Sequence, residues 1–361
     1  MDLLVELPLN RLSLCQFGYN VLRELYKRGD NVGIFPVGVN DRGEGVDLSA
    51  YKPSAEFMKW LQDGVDKRFQ LLKRDTKNLK IWHIAGSDSL RTPNQTLLTF
   101  YECSEPTDYE KSIVSLQSKT LFSSKYSAEK FSSLENVGTF SCGFDPDFTP
   151  KGDKHHFQDR IVFTLAGKWE VRKQTEKIIR AWVKKYGNNK KYVLNLLVNN
   201  PFFSHEDNQA LFAKACGNQR VWNINYLPAL STNDEVRQLI EQTDIDLSGL
   251  SAGEGWGLPS FNTTAMGKWS IVSNNTSHKD WATAENSILV EPDHEFPVYD
   301  GVFFRQESPV NHGVFYGISE ENMITAFEKA EKFAKTPNPE GEKLRETFSY
   351  KKVVDNILQQ L

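Results

Sequence analysis

At 361 residues the chain is longer than one hydrophobic core usually serves, and its 39% hydrophobic and 12% aromatic residues suffice to fill two. Lys and Arg number 43 against 47 Asp and Glu; the resulting charge of −4 provides no basic field to recruit nucleic acid or an anionic membrane. Residues 1–9 carry acids where a secretory leader needs bases, no apolar run reaches membrane-spanning length, and the four scattered cysteines have neither CxxC nor metal-ligand spacing, so a cytoplasmic protein with reduced thiols is expected.

Taken in order, residues 2–9 read as a buried strand and 10–18 as a loop ending in Gly18. Val21, Leu22, Leu25 and Tyr26 then form a helical stripe that Lys27-Arg28-Gly29 closes. Residues 31–37 are the next strand, so the chain opens strand–loop–helix–strand, as a mononucleotide-binding half does. A helix over 55–73 follows, then strands over 79–84, ending near His83, and over 96–101. Both strands end where an open α/β sheet forms its ligand crevice. A strand over 118–123, a helix over 124–131 and a strand over 139–142 complete this half, and the polar run 151–159 marks a domain boundary.

The pattern then restarts. Strands are expected over 160–166, 192–198, 220–224 and 246–250, and helices over 174–186, 208–215 and 233–241. Residues 292–317 are rich in aromatics (Phe296, Tyr299, Phe303, Phe304, Phe315, Tyr316) and read as an added hairpin or flap. A helix over 320–334 ends before Pro337 and Pro339, and a last helix over 350–361 carries Val353, Val354, Ile357, Leu358 and Leu361 on one stripe.

The most informative stretch is 251–281. Gly253, Gly255 and Gly257 surround one carboxylate, Glu254, and Pro259 precedes a helical run to Met266. Glycine lets backbone approach a ligand, and proline suits the first helical turn. Exposed N–H groups at a helix start then favour an anion. A plain strand–turn–helix connection satisfies the same glycine spacing.

Glu254-Gly255-Trp256-Gly257-Leu258-Pro259 resembles the E-G-F-G-L-P signature of group 1, family 4-like glycosyltransferases of the GT-B fold. Residues 143–150 are similar to that family's G-V-D-x-x-x-F-x-P linker, and Lys168 and Lys173 stand at the positions of its Arg and Lys pair. The resemblance implies an α/β fold with two Rossmann-like domains facing each other across a cleft. Residues 1–152 would be the acceptor side, 158–340 the nucleotide-sugar-binding domain, and 341–361 a helix returning to the first domain. It further implies a retaining, metal-independent transfer of a sugar from a nucleoside-diphosphate sugar, such as a UDP- or GDP-sugar, to a hydroxyl of a glycan, lipid-linked or other acceptor. No cofactor or resident metal is expected; Asp145-Pro146-Asp147 has DxD spacing but lies in the linker match.

By the same resemblance Glu254, Lys168 and Lys173 carry the chemistry, with His83 the nearest substitute for a first-domain histidine. Gly18, Lys168, Lys173, Glu254, Gly255, Trp256, Gly257, Leu258 and Asn262 would hold the donor. Three departures matter. Lys168 replaces the usual Arg, a point charge for a bidentate fork. The strand over 96–101 ends Thr99-Phe100-Tyr101-Glu102, without the family's His. Asn262 replaces the second Glu of the motif, exchanging a charge-assisted ribose bond for a neutral one at a cost of about 1 kcal/mol. These departures motivate a rival, a non-catalytic nucleotide-sugar or glycan-binding relative; a sugar-nucleotide epimerase on the same fold is a second.

Overall fold

The strands read as continuous apolar runs because helices cover both faces of their sheets. In β1 (Asp2–Pro8), Leu3, Leu4, Val5 and Leu7 are all fully buried. The computed structural model describes residues 2–38, 46–200, 202–301 and 304–361; Phe303 of the aromatic stretch lies outside the described residues. The chain divides into a first unit of Met1–Asp145, Ser308–His312 and Glu346–Leu361, and a second of Pro146–Glu307 and Gly313–Arg345.

In the first unit β1 is followed by α1 (Ser13–Arg28), β2 (Asn31–Val37), α2 (Ala55–Leu71), β3 (Lys77–Ile81) and β4 (Gln95–Thr99). Then come α3 (Asp108–Leu116), β5 (Lys119–Phe122), α4 (Lys125–Lys130) and β6 (Val137–Thr139). The sheet runs β2-β1-β3-β4-β5-β6 with every pairing parallel. Three features differ from the sequence reading. The strand expected over 139–142 lies earlier, at β6 (Val137–Thr139). Helix α1 begins at Ser13, so Gly18 lies inside the helix and not in the preceding loop. A Cβ there would sit 2.8 Å from Leu7 Cδ1, so this glycine allows the helix to approach β1 closely. Helix α3 is additional; Thr107 and Glu110 form a reciprocal capping box at its start.

The second unit contains β7 (Ile161–Gly167), α5 (Thr175–Tyr186), β8 (Tyr192–Val198), α6 (His205–Ala215), β9 (Ile224–Tyr226) and α7 (Asn233–Glu241). It continues through β10 (Ile245–Gly249), α8 (Leu258–Ala265), β11 (Trp269–Ser273) and β12 (Ile288–Val290). An antiparallel hairpin, β13 (His294–Pro297) with β14 (Val314–Gly317), realises the added flap, before α9 (Glu320–Glu331) and the short α10 (Pro339–Glu342). The parallel sheet runs β12-β11-β10-β7-β8-β9. Successive strands step outward from β7 in one direction and from β10 in the other, so the order reverses between β7 and β10. Loops leaving the carboxyl ends of those two strands border a crevice, the usual ligand position in such sheets. Residues 146–152 belong with this unit, since the N–H groups of Lys151 and Gly152 donate to Glu241 Oε1 at 2.7 and 3.2 Å.

After α11 (Leu344–Thr347), α12 (Tyr350–Gln359) packs within the first unit. Tyr350, Val353, Val354 and Ile357 are buried, and Asp355 pairs with Arg28 of α1. Gly143 makes room for this helix: a Cβ there would lie 2.6 Å from the Tyr350 ring. Among the described residues no helix is long and apolar enough to cross a membrane. Ile357→Ala should lower stability by about 2–5 kcal/mol, the range for emptying a buried aliphatic site, as read by urea denaturation; an unchanged midpoint would contradict this packing.

Candidate functional site

Two loops meet at the switch point of the second sheet. The first, 168–174, leaves β7; the second, 250–257, leaves β10 and enters α8. The two loops are bonded to each other directly. Ala252 N–H donates to Arg172 O at 2.9 Å, Gln174 Nε2 to Leu250 O at 2.9 Å, and Arg172 Nη1 to Gly253 O at 2.5 Å. Glu254 N–H donates to Thr276 Oγ1 at 3.0 Å, and Trp281 Nε1 to Trp256 O at 3.0 Å, fixing the second loop against the segment after β11. Gly257 caps α8 at φ 80°, a left-handed conformation that favours glycine. Pro259 follows in the first turn, where its missing N–H costs nothing.

Glu254 is buried, and Lys173 and Arg172 close on it. Lys173 Nζ pairs with Oε1, and Arg172 Nη1 lies 3.2 Å from Oε2. Arg172 also contacts the buried Glu170 at 3.0 Å, and Lys168 Nζ lies 3.8 Å from the same carboxylate. Burial alone would push the Glu254 carboxyl up, but the charges of Lys173 and Arg172 outweigh it and hold it down at about 2. Three cations thus face two carboxylates, leaving a positive surplus beside the start of α8.

Of the residues expected from sequence, Lys173, Glu254 and the 255–258 turn come together here, and Lys168 joins through Glu170. Asn262 is buried on α8. Gly18 and His83 belong to the first unit, Gly18 inside α1 and His83 exposed in the turn after β3. Sequence reasoning did not select Arg172 and Glu170. The available signal was the alternation of charges in Lys168-Trp169-Glu170-Val171-Arg172-Lys173, which leaves open which charge turns inward.

No protein-family model matches the chain, and no curated protein sequence matches it. Solved structures do. Sucrose-phosphate synthase from Thermosynechococcus elongatus superposes with a TM-score of 0.69 at 12% identity, over 99% of this chain and 98% of the other. HepE from Anabaena, solved with UDP-glucose, gives 0.63 at 12% identity over 100% of both chains. An α,α-trehalose 6-phosphate synthase from Burkholderia multivorans gives 0.64 at 10% identity, over 99% and 97%. The chain has the GT-B fold.

Within this GT-B chain, His278 lies beneath the glycine loop, fully buried. Its Nδ1 is 3.0 Å from Ser273 O, and a carbonyl can only accept, so Nδ1 carries the proton. Nε2 has no hydrogen-bond partner and occupies the space a Gly257 Cβ would enter, 2.5 Å away. Burial lowers the His278 pKa to about 4, against an opposing pull from Glu254, so the ring is neutral at pH 7. The unfolded chain therefore binds more protons than the folded one between pH 6.5 and about 4, and stability falls as pH drops through that window. The melting temperature of His278→Leu, relative to the parent at the same pH, should rise on going from pH 7 to pH 4.5; a pH-independent difference would remove His278 from the acid response.

Proposed function

We propose that the site at the start of α8 binds a nucleoside-diphosphate sugar and that the protein transfers the sugar to an acceptor hydroxyl. The observation that carries this reading is the convergence of Lys173 and Arg172 on Glu254, at the N-terminus of a helix and at the sheet's switch point. The GT-B fold supports it, as do the neighbours solved with UDP or UDP-glucose.

The chemistry follows from charge. When the bond between the sugar and the diphosphate breaks, negative charge accumulates on the leaving phosphate oxygens. Fixed cations and dipoles aimed at that charge lower the barrier most when they need no reorganisation. Lys173 and Lys168 supply the cations, and the N–H groups at the start of α8 supply the positive helix end. In this reading side chains, without a metal, neutralise the leaving group. Glu254, ionised throughout the working pH range, accepts a hydrogen bond from a sugar hydroxyl. Asn262 accepts or donates to the ribose without the charge its family counterpart provides. Retention of anomeric configuration and the placing of His83 near the reacting sugar rest on the resemblance alone. The acceptor is a glycan or another hydroxyl-bearing molecule.

Lys173→Ala should weaken UDP and UDP-glucose binding by about 1.5–3 kcal/mol, the worth of one charge-assisted bond. Asn262→Glu should tighten both ligands by up to about tenfold with little change in kcat, because ribose contacts act equally on ground and transition states. Glu254→Ala should spare UDP while damaging UDP-glucose binding and turnover. Calorimetry with both ligands and a turnover assay read all three. Unchanged binding in Lys173→Ala would defeat the assignment, and donor binding without transfer or hydrolysis of any nucleotide sugar would favour the non-catalytic relative.

A further inference from the structure

The second unit holds a cavity of about 570 Å³ on the α5–α6 side of the sheet, covered by the β13 strand. Its size falls in the range of small-ligand sites, about 300–1,000 Å³. It adjoins the site above and shares Glu170 and the 168–174 loop with it, but Lys168, Lys173, Glu254 and the 255–258 turn do not line it. The walls are Trp169 and Val171 from the β7 loop, Phe203 from the approach to α6, Leu211 from the middle of α6, and Phe296 from the hairpin.

The apolar character continues outside. Val171 is 54% exposed, Phe202 beside Phe203 is 60% exposed, and Tyr299 beyond β13 is 48% exposed. Of these, Val171 belongs to the cavity lining itself, and Phe202 and Tyr299 are chain neighbours of the lining residues Phe203 and Asp300. The polar lining is mixed: Glu170, Glu176 and Asp300 face Lys177 and Arg180, so the charges nearly cancel. A nucleotide or other polyanion finds no surplus of cations, and a purely aliphatic chain would strand these groups without water.

We propose that this cavity binds a neutral glycan segment. A pyranose ring has an apolar C–H face that lies flat on an aromatic ring, and a rim of hydroxyls that needs donors and acceptors. Phe203 and Phe296, both half-buried among the lining residues, supply the aromatic surface. Carboxylates retain lone pairs beyond those used in ion pairs, and the Lys177 ammonium retains one of its three N–H groups after bonding Gln174 Oε1 at 3.1 Å and His294 Nε2 at 3.2 Å. Glu170 both lines the cavity and contacts Lys168 and Arg172, so an occupant would touch the same carboxylate that braces the proposed donor cations. The inference stands without the donor reading, because none of its walls depends on a bound nucleotide.

Titration calorimetry of the full chain with maltotriose, cellotriose and chitotriose, each with and without UMP, tests it. At least one trisaccharide should bind, UMP should not displace it, and Phe296→Ala should weaken it about tenfold, the factor that 1.4 kcal/mol represents. Val171→Asp, at an exposed position that tolerates a charge, should weaken it similarly while leaving the melting temperature unchanged, so a folding defect in Phe296→Ala would not leave the question open. Absence of binding by all three at millimolar concentration, binding by both variants as tight as that of the parent, or displacement by UMP would overturn the proposal. UDP affinity measured alongside reads the donor site separately.

Discussion

A buried carboxylate between two cations sets the form of the second unit's crevice. Glu254 without partners would be expelled from the interior or protonated, because burial penalises its charge. Lys173 and Arg172 together prevent both, and Arg172 does more than that. Its guanidinium reaches Glu254, Glu170 and the Gly253 carbonyl, and so ties the loop after β7 to the loop after β10. Removing one member of such a set leaves charge uncompensated in the interior, typically at roughly 3–5 kcal/mol. The loop geometry that presents the start of α8 therefore depends on an electrostatic arrangement before any ligand arrives.

The same arrangement has a functional side. Under the proposed function, a diphosphate entering beside Lys173 would compete with Glu254 for that ammonium, and a sugar hydroxyl would compete for the carboxylate. Binding would then exchange internal ion pairs for ligand contacts instead of creating contacts from nothing. Arg172 and Glu170, which pair with each other at 3.0 Å, would stay in place through that exchange and keep the rest of the cluster preorganised. Under the same proposal Asn262, buried on α8 without a charge, would hold one end of the donor less strongly than a carboxylate.

Much of this was legible in the sequence because local signals and tertiary demands agree. Apolar runs bounded by Gly and Pro announce parallel strands, and the turn around Gly257 announces itself through glycine and Pro259. Where the two diverge, reading from sequence fails. Gly18 resembled a loop terminus but sits mid-helix, since its purpose is close packing on Leu7, a partner the linear pattern does not reveal. Helix α3 is short and only Ile113, Val114 and Glu110 of it are buried, so its stripe is faint although its capping box is clear. Arg172 was missed for a related reason. A charged loop residue reads as solvated until an opposing buried acid, here 82 positions along the chain, supplies a reason to turn inward. The aromatic stretch was recognised as an addition, but the cavity beneath it also needs α5 and α6, which no local pattern links to it.

The central claim is that Lys173 and Glu254 act as one unit whose ion pair is exchanged for donor contacts. A double-mutant cycle tests it most directly, with Lys173→Met, Glu254→Gln and the double variant titrated with UDP. The account predicts that Lys173→Met weakens UDP, and that this loss changes by at least about 0.5 kcal/mol, beyond the error of additivity, when Glu254→Gln is also present. Strictly additive effects, or UDP affinity indifferent to both residues, would contradict it.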